Sequence, residues 1–321
     1  MSTSILSRLL APFALLATAF AAPLAAQQAN PYAFTQDYEP APAIWKLSDE
    51  DTTIYMLGTI HLLPEGFRWR NPQLDAIIDE ADVLVVETTE EESDGMMEAI
   101  SPKLANVLTS RTPTSRQLSP LGRTRWRELV AMSGMPFEYV DSLPVMVALL
   151  GFGQAGLESD PSSYEYGVET VLEREFTASG RPIESIEDFG RVMYGLFRVN
   201  DTEVVRELDM QLRAWGGKTL HGLYDAHANN LTGDAYWAME HAWARGEVAE
   251  DFDLGFGVGT IGETFHEVLL NRRNARWAQW LEDRLDQPGT VLLAVGAGHF
   301  EGSDSVLAKL EERGLAAERI N

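Results

Sequence analysis

Two runs, Val83-Leu84-Val85-Val86 and Thr290-Val291-Leu292-Leu293-Ala294-Val295, are apolar almost without interruption. A strand with one face in water alternates apolar and polar residues, whereas an unbroken apolar run suits a strand covered on both faces. Strands of that kind near both ends of the chain require a layered fold, with helices on either side of a sheet. The neighbouring segments agree. Ala43 to Leu47 and Thr53 to Leu57 read as a hairpin around Ser48-Asp49-Glu50-Asp51, and Leu74, Ile77 and Ile78 give Pro72 to Ala81 helical spacing. From about 90 to 245 the pattern turns mainly helical, with a helix over Val168 to Ala178 and one strand over Arg181 to Ile186. Thr264 to Leu285 reads as one long helix, and Ser303 to Arg313 as a closing helix capped by Gly314. The fold class expected is α/β, a central mixed sheet flanked by helices, with a largely helical middle insertion.

The first residues describe processing rather than fold. Arg8 precedes a Leu-, Ala- and Phe-rich stretch that ends in small residues before Gln27, the pattern of a secretory signal peptide cut after Ala26. The domain organisation expected is a signal peptide over 1–26, a Pro-rich lead over 27–42 and one α/β domain over 43–321. A periplasmic or secreted protein follows, with no stable membrane anchor once the signal is removed. The chain has no cysteine, which excludes disulfides, thiolate metal sites and a cysteine nucleophile. Its 49 acidic residues against 25 Lys and Arg give a net charge of −24, with no basic run, so nucleic acid is not an expected partner.

The chemistry-bearing feature is a short pattern that ends each of the two best strand candidates. Tyr55-Met56-Leu57 is followed by Gly58-Thr59-Ile60-His61, and Leu293-Ala294-Val295 by Gly296-Ala297-Gly298-His299. Glycine at a strand end permits a sharp turn and leaves room for a ligand. An imidazole beyond the carboxyl end of a strand points into the crevice where α/β sheets bind substrates. His61 and His299 are therefore candidate ligands of one ion. Glu87, directly after Val83 to Val86, reaches the same crevice as a third ligand or a general base.

GTIHLLPEG with VLVVET, then RPIESIED, NRRNARWAQWLED and VLLAVGAGHFEG, resemble the TraB/PrgY/GumN family, in particular its GumN-like bacterial branch. That family is related to the Tiki proteases and, more remotely, to haem-binding ChaN and erythromycin esterase. The resemblance implies an α/β sandwich that unites the two Gly-x-x-His motifs and a divalent-metal-dependent hydrolase of peptide bonds. The metal implied is Mn²⁺, Co²⁺ or Zn²⁺. By the same resemblance His61, Glu87 and His299 are metal ligands or catalytic groups, and Glu187 and Arg273 complete the pocket, as a second candidate base and an oxyanion-stabilising cation. The substrate implied is a peptide or protein. The rival reading is a non-catalytic binding protein that holds haem, iron or a glycan in the same pocket.

Other signals carry less. Gly151 to Gly156 and Gly257 to Gly262 match a dinucleotide pattern without its strand-then-helix setting. His266-Glu267 begins a zinc-protease motif, but Leu270 stands where its second histidine belongs. His221, His227 and His241 read as surface or aromatic-packing residues, and Trp277 and Trp280 as a core face.

Overall fold

The computed structural model describes residues 30–89, 111–155, 161–199, 201–217, 223 and 231–321, with the backbone alone at 153–155, 189 and 201. The segment read as a signal peptide, most of the acidic loop after Glu87, His221 and His227 lie outside the described residues. Strands β1 (Ile44–Ser48) and β2 (Thr52–Thr59) form the expected hairpin, in register Ile44 with Leu57 and Ser48 with Thr53. Helix α1 (Pro72–Glu80) follows, started by Asn71, whose side chain accepts from the Leu74 amide, and by Pro72 at its first position. It leads into β3 (Val83–Val86).

The middle is helical, as the sequence predicts. Beside two short helices, Thr114–Gln117 before α2 and Phe137–Ser142 after it, the longer pieces are α2 (Pro120–Met132), α3 (Val145–Ala155) and α4 (Val168–Ser179). Gly180 ends α4 in the left-handed conformation, φ 69°. The strand expected over Arg181 to Ile186 is shorter, β4 (Ile183–Ser185), because Pro182 has no amide proton to give a ladder. Then come α5 (Phe189–Phe197), α6 (Asp201–Ala214) and α7 (Ala238–Ala244). Gly151 and Gly153 lie inside α3, not in a phosphate loop.

The long helix expected over Thr264 to Leu285 is interrupted. Helix α8 (Thr260–His266) passes through a π-helical turn, Glu267–Asn271, into α9 (Arg272–Arg284). The chain closes with β5 (Gly289–Gly296), a 3₁₀ turn Ala297–Phe300, α10 (Val306–Glu311) and the two-residue β6 (Glu318–Arg319). Helix α10 is shorter than expected, since Ser305 caps it at its start.

The six strands run in the order β4-β3-β5-β2-β1-β6. The four from β4 to β2 are mutually parallel and β1 and β6 complete a mixed sheet. Alternate residues of each strand supply opposite cores. Leu84, Val86, Leu292 and Ala294 pack with α1 and α4, while Val83, Val85, Val291, Leu293 and Val295 pack with α9 and α10. The sheet is thus covered on both faces, which is why its central strands do not alternate in polarity. A separate cluster around Trp126, Leu149, Leu208 and Phe265 forms the core of the helical middle. No described helix is long and apolar enough to cross a membrane.

Candidate functional site

Four parallel strands end at one edge of the sheet, and each is followed by one of the sequence-predicted site residues. His61 follows β2, Glu87 follows β3, Glu187 follows β4, and His299 lies on the 3₁₀ turn after β5. Arg273 enters from α9, above the same edge. All five border or adjoin a crevice of about 890 Å³, walled by residues of the 236–254 segment and by the π-helical turn.

The glycines of the two motifs do different jobs. A Cβ on Gly58 would stand 3.0 Å from the Cα of Ala297, so this glycine lets the turn after β5 lie against β2. A Cβ on Gly296 would stand 3.1 Å from Glu87 Oε1, 3.7 Å from His61 Nε2 and 3.8 Å from His299 Cδ2. Three side chains from distant parts of the chain therefore crowd one point at the end of β5.

A cationic clamp holds the two carboxylates. The Nη2 group of Arg273 donates to Glu87 Oε2 and to Glu187 Oε1, its Nε donates to Glu187 Oε2 at 3.0 Å, and its Nη1 donates to the Leu269 carbonyl at 3.0 Å. The other oxygen of Glu87 accepts the Gly296 amide at 2.8 Å. Burial acts to raise the Glu87 pKa, but Arg273 and the two histidines outweigh it and hold the carboxyl well below its usual range. Glu187 goes the other way, because burial together with the Glu87 carboxylate raises its pKa against the pull of Arg273 and Arg276.

The histidines also differ. His299 is buried against Trp277, with ring centroids 4.1 Å apart, and its Nδ1–H donates to Asn274 Oδ1 at 2.5 Å. That bond leaves the lone pair on Nε2, which lies 3.7 Å from Glu87 Oε1. Burial and the nearby Arg273 push the His299 pKa down to about 3. The His61 ring is about half exposed, and its Nδ1 lies 2.8 Å from Glu169 Oε1. Lost hydration lowers the His61 pKa, but the Glu169 carboxylate more than reverses this and lifts it to about 9. Thr59 donates to the same Glu169 oxygen, and the start of α4 is fixed against the His61 loop by the Val168 amide, which donates to Ile60 O at 3.1 Å.

Glu169 and Asn274 are the residues that the motifs alone do not assign a role. Glu169 is in the first turn of α4 and Asn274 directly follows Arg273. Asn274 is marked in the sequence only by standing next to Arg273, and Glu169 adjoins none of the motif residues. Among the described residues no three His, Asp or Glu side chains already stand in metal-coordinating positions. The chemistry of the donors nevertheless suits a divalent ion. Each imidazole binds an oxygen through Nδ1 and turns the other nitrogen or ring edge toward the Gly296 end, the arrangement that orients metal-bound histidines.

Three of the set-aside signals are structural. His241 is buried among Phe34, Tyr38 and Phe67, His266 is on α8, and Trp277 is fully buried under the sheet. The model of the TraB/PrgY/gumN family matches residues 43–319, which include both strand-end motifs and everything between them. The chain belongs to the TraB/PrgY/gumN family. The match begins one residue before β1 and ends in β6, so the whole sheet and both walls of the crevice are the family's domain. No curated protein and no solved structure matches this member of the TraB/PrgY/gumN family.

Proposed function

We infer that this crevice is a divalent-metal-dependent hydrolytic site for peptide bonds, working outside the cytoplasm. The observation that carries the reading is the convergence of His61, His299 and Glu87 on the Gly296 end of β5. His61 and His299 are the ligands, and Glu87 is the third. Its lowered pKa and its two anchored oxygens suit a fixed anion better than a proton acceptor. When bound, a Mn²⁺, Co²⁺ or Zn²⁺ ion polarises a carbonyl and acidifies a water.

The rest is the work of the protein's own groups. Glu187, whose pKa burial raises, is the general base. A guanidinium has five N–H donors, and the contacts of Arg273 use four, which leaves one on Nη1 for the oxyanion of a tetrahedral intermediate. His61 holds a proton at neutral pH and must give it up to bind an ion, so binding releases a proton and weakens as pH falls. The net charge of −24 favours cationic or neutral peptides in long-range encounter.

The test is to strip the protein with chelator, restore each ion and measure both its binding by calorimetry and cleavage of a peptide library. His61→Ala and His299→Ala are each expected to weaken ion binding by about 10–100-fold. Metal-dependent cleavage that persists in the double variant would refute the assignment. A second reading, a non-catalytic holder of haem, iron or a glycan, is favoured by the apolar crevice wall of Trp243, Phe252, Leu254 and Leu269. A visible absorption band on haem titration, without peptide cleavage, would establish it.

A further inference from the structure

A second cleft, of about 570 Å³, lies between α5 and the α8–α9 helix, and it is arginine-rich. Helix α5 supplies Arg191, and Arg198 follows at its end, seven residues on and so on the same side. Arg272 and Arg276 of α9 are four apart. In a chain with about two acids for every base, several arginines elsewhere find carboxylates, while others, such as Arg123 and Arg181, bond backbone carbonyls. Arg125 pairs with Glu128, Arg70 with Asp75 and Glu175, and Arg313 with Glu282.

What sets the four arginines here apart is that they line one cleft, where two of them have a carboxylate within reach. Glu267 Oε1 accepts from Arg272 Nε at 2.9 Å, and Glu187 Oε2 is 3.9 Å from Arg276. Arg191 and Arg198 make no ion pair among the described residues, and Arg198 instead stands over the half-exposed ring of Tyr194 at 5.6 Å. One further acid, Glu263 of α8, lines the cleft. Like charges gathered on adjoining helices repel, and burial with the nearby Arg191, Arg273 and Arg272 lowers the Arg276 pKa against the opposing pull of Glu187. The hydrolytic reading gives no role to Arg191, Arg198, Arg272 or Arg276.

We propose that this cleft binds a phosphate-bearing small molecule, seated by Arg191, Arg198, Arg272 and Arg276 with Tyr194 beside it. The planar guanidinium fork matches two oxygens of a phosphate at once, and a group with more than one negative charge gains most from several such forks. The apolar residues Val192, Val199 and Val268 line the same cleft and contact the non-phosphate part of the ligand.

The experiment is calorimetric titration of the whole, chelator-treated protein with inorganic pyrophosphate at low salt, so that no metal at the sheet-edge crevice contributes. Saturable binding to one site is expected. Arg191→Gln together with Arg198→Gln weakens it by about tenfold or more, from the strength of charge-assisted bonds. Glu263→Gln tightens it, an effect that a purely structural role for the cleft does not produce. Arg125→Gln, on the distant α2 pair, leaves it unchanged. Both α5-side arginines are exposed, and the single variants give intermediate losses should the double variant not fold. Absence of saturable binding, equal affinity in the Arg191/Arg198 variants, or tight binding of citrate with none of pyrophosphate overturns the proposal.

Discussion

The ends of β2 and β5 carry the same four-residue motif, yet their histidines are driven in opposite directions. His61 faces solvent and a carboxylate, and its pKa rises to about 9; His299 is enclosed beside a guanidinium, and its pKa falls to about 3. A motif therefore fixes where an imidazole stands, while residues from other elements decide whether it holds a proton. At neutral pH one ring is a cation able to donate and the other a neutral base with a free lone pair. As ion ligands the two would therefore differ: His61 must first lose a proton, and His299 need not.

The strongest way to break the contrast is to remove the cation that helps to create it. Arg273→Ala leaves Glu87 and Glu187 buried without their counter-ion and is expected to destabilise the fold by about 3–5 kcal/mol in urea unfolding. The His299 pKa should rise at the same time, read from its ring protons by NMR. Arg273→Lys keeps the charge but loses the fork, so it should fall between.

Next, the two motif glycines should part company. Gly58→Ala sets a Cβ against the backbone of Ala297 and should cost about 1–3 kcal/mol of stability. Gly296→Ala meets only side-chain ends, so it should leave unfolding nearly unchanged while reducing ion binding.

The pH dependence of stability, measured without metal, tests the two histidines separately. His299 has a folded pKa below its unfolded 6.5, so its contribution is complete above pH 6.5 and declines as pH falls toward 3. The slope is at most about 1.4 kcal/mol per pH unit. His61 has a raised folded pKa, so its contribution is complete below pH 6.5 and declines as pH rises through about 9. His299→Gln should flatten the acid limb between pH 4.5 and 6.5 and leave the alkaline limb. Glu169→Gln should do the reverse. The smallest change expected is in Glu169→Gln near pH 9, where the His61 contribution is already declining; at pH 7 the same variant moves the His61 pKa back toward 6.5 and forfeits most of that contribution.

Much of this arrangement was legible in the sequence because strand-end residues follow from backbone order. Unbroken apolar runs such as Val83 to Val86 announced a doubly covered sheet, and parallel pairing then brought His61, Glu87, Glu187 and His299 to one edge. Residues supplied by helices were harder to read, since the facing of a helix depends on its packing. The π-helical turn is the clearest case. From buried Val268 a regular helix would next bring residue 272 inward, but the wider turn buries Arg273 instead and leaves Arg272 exposed. Periodicity alone predicted a single helix there and missed the shift that aims the clamp. Glu169 was obscure for the same reason, and β6, at two residues, is too short to have a pattern.

The segment before β1 has a consequence for the crevice. Without helix or strand of its own, it accepts from Trp237 at the Tyr32 carbonyl, donates to Asp234 from the Thr35 amide, meets His241 with the Tyr38 hydroxyl and ends on Ala244 through the Ala41 amide. These four contacts tie the segment to residues 234–244, which supply part of the crevice wall. The wall is thus laced in place by a segment that has no ladder or helix of its own, and cutting these bonds should loosen the wall before it disturbs the groups at the sheet edge.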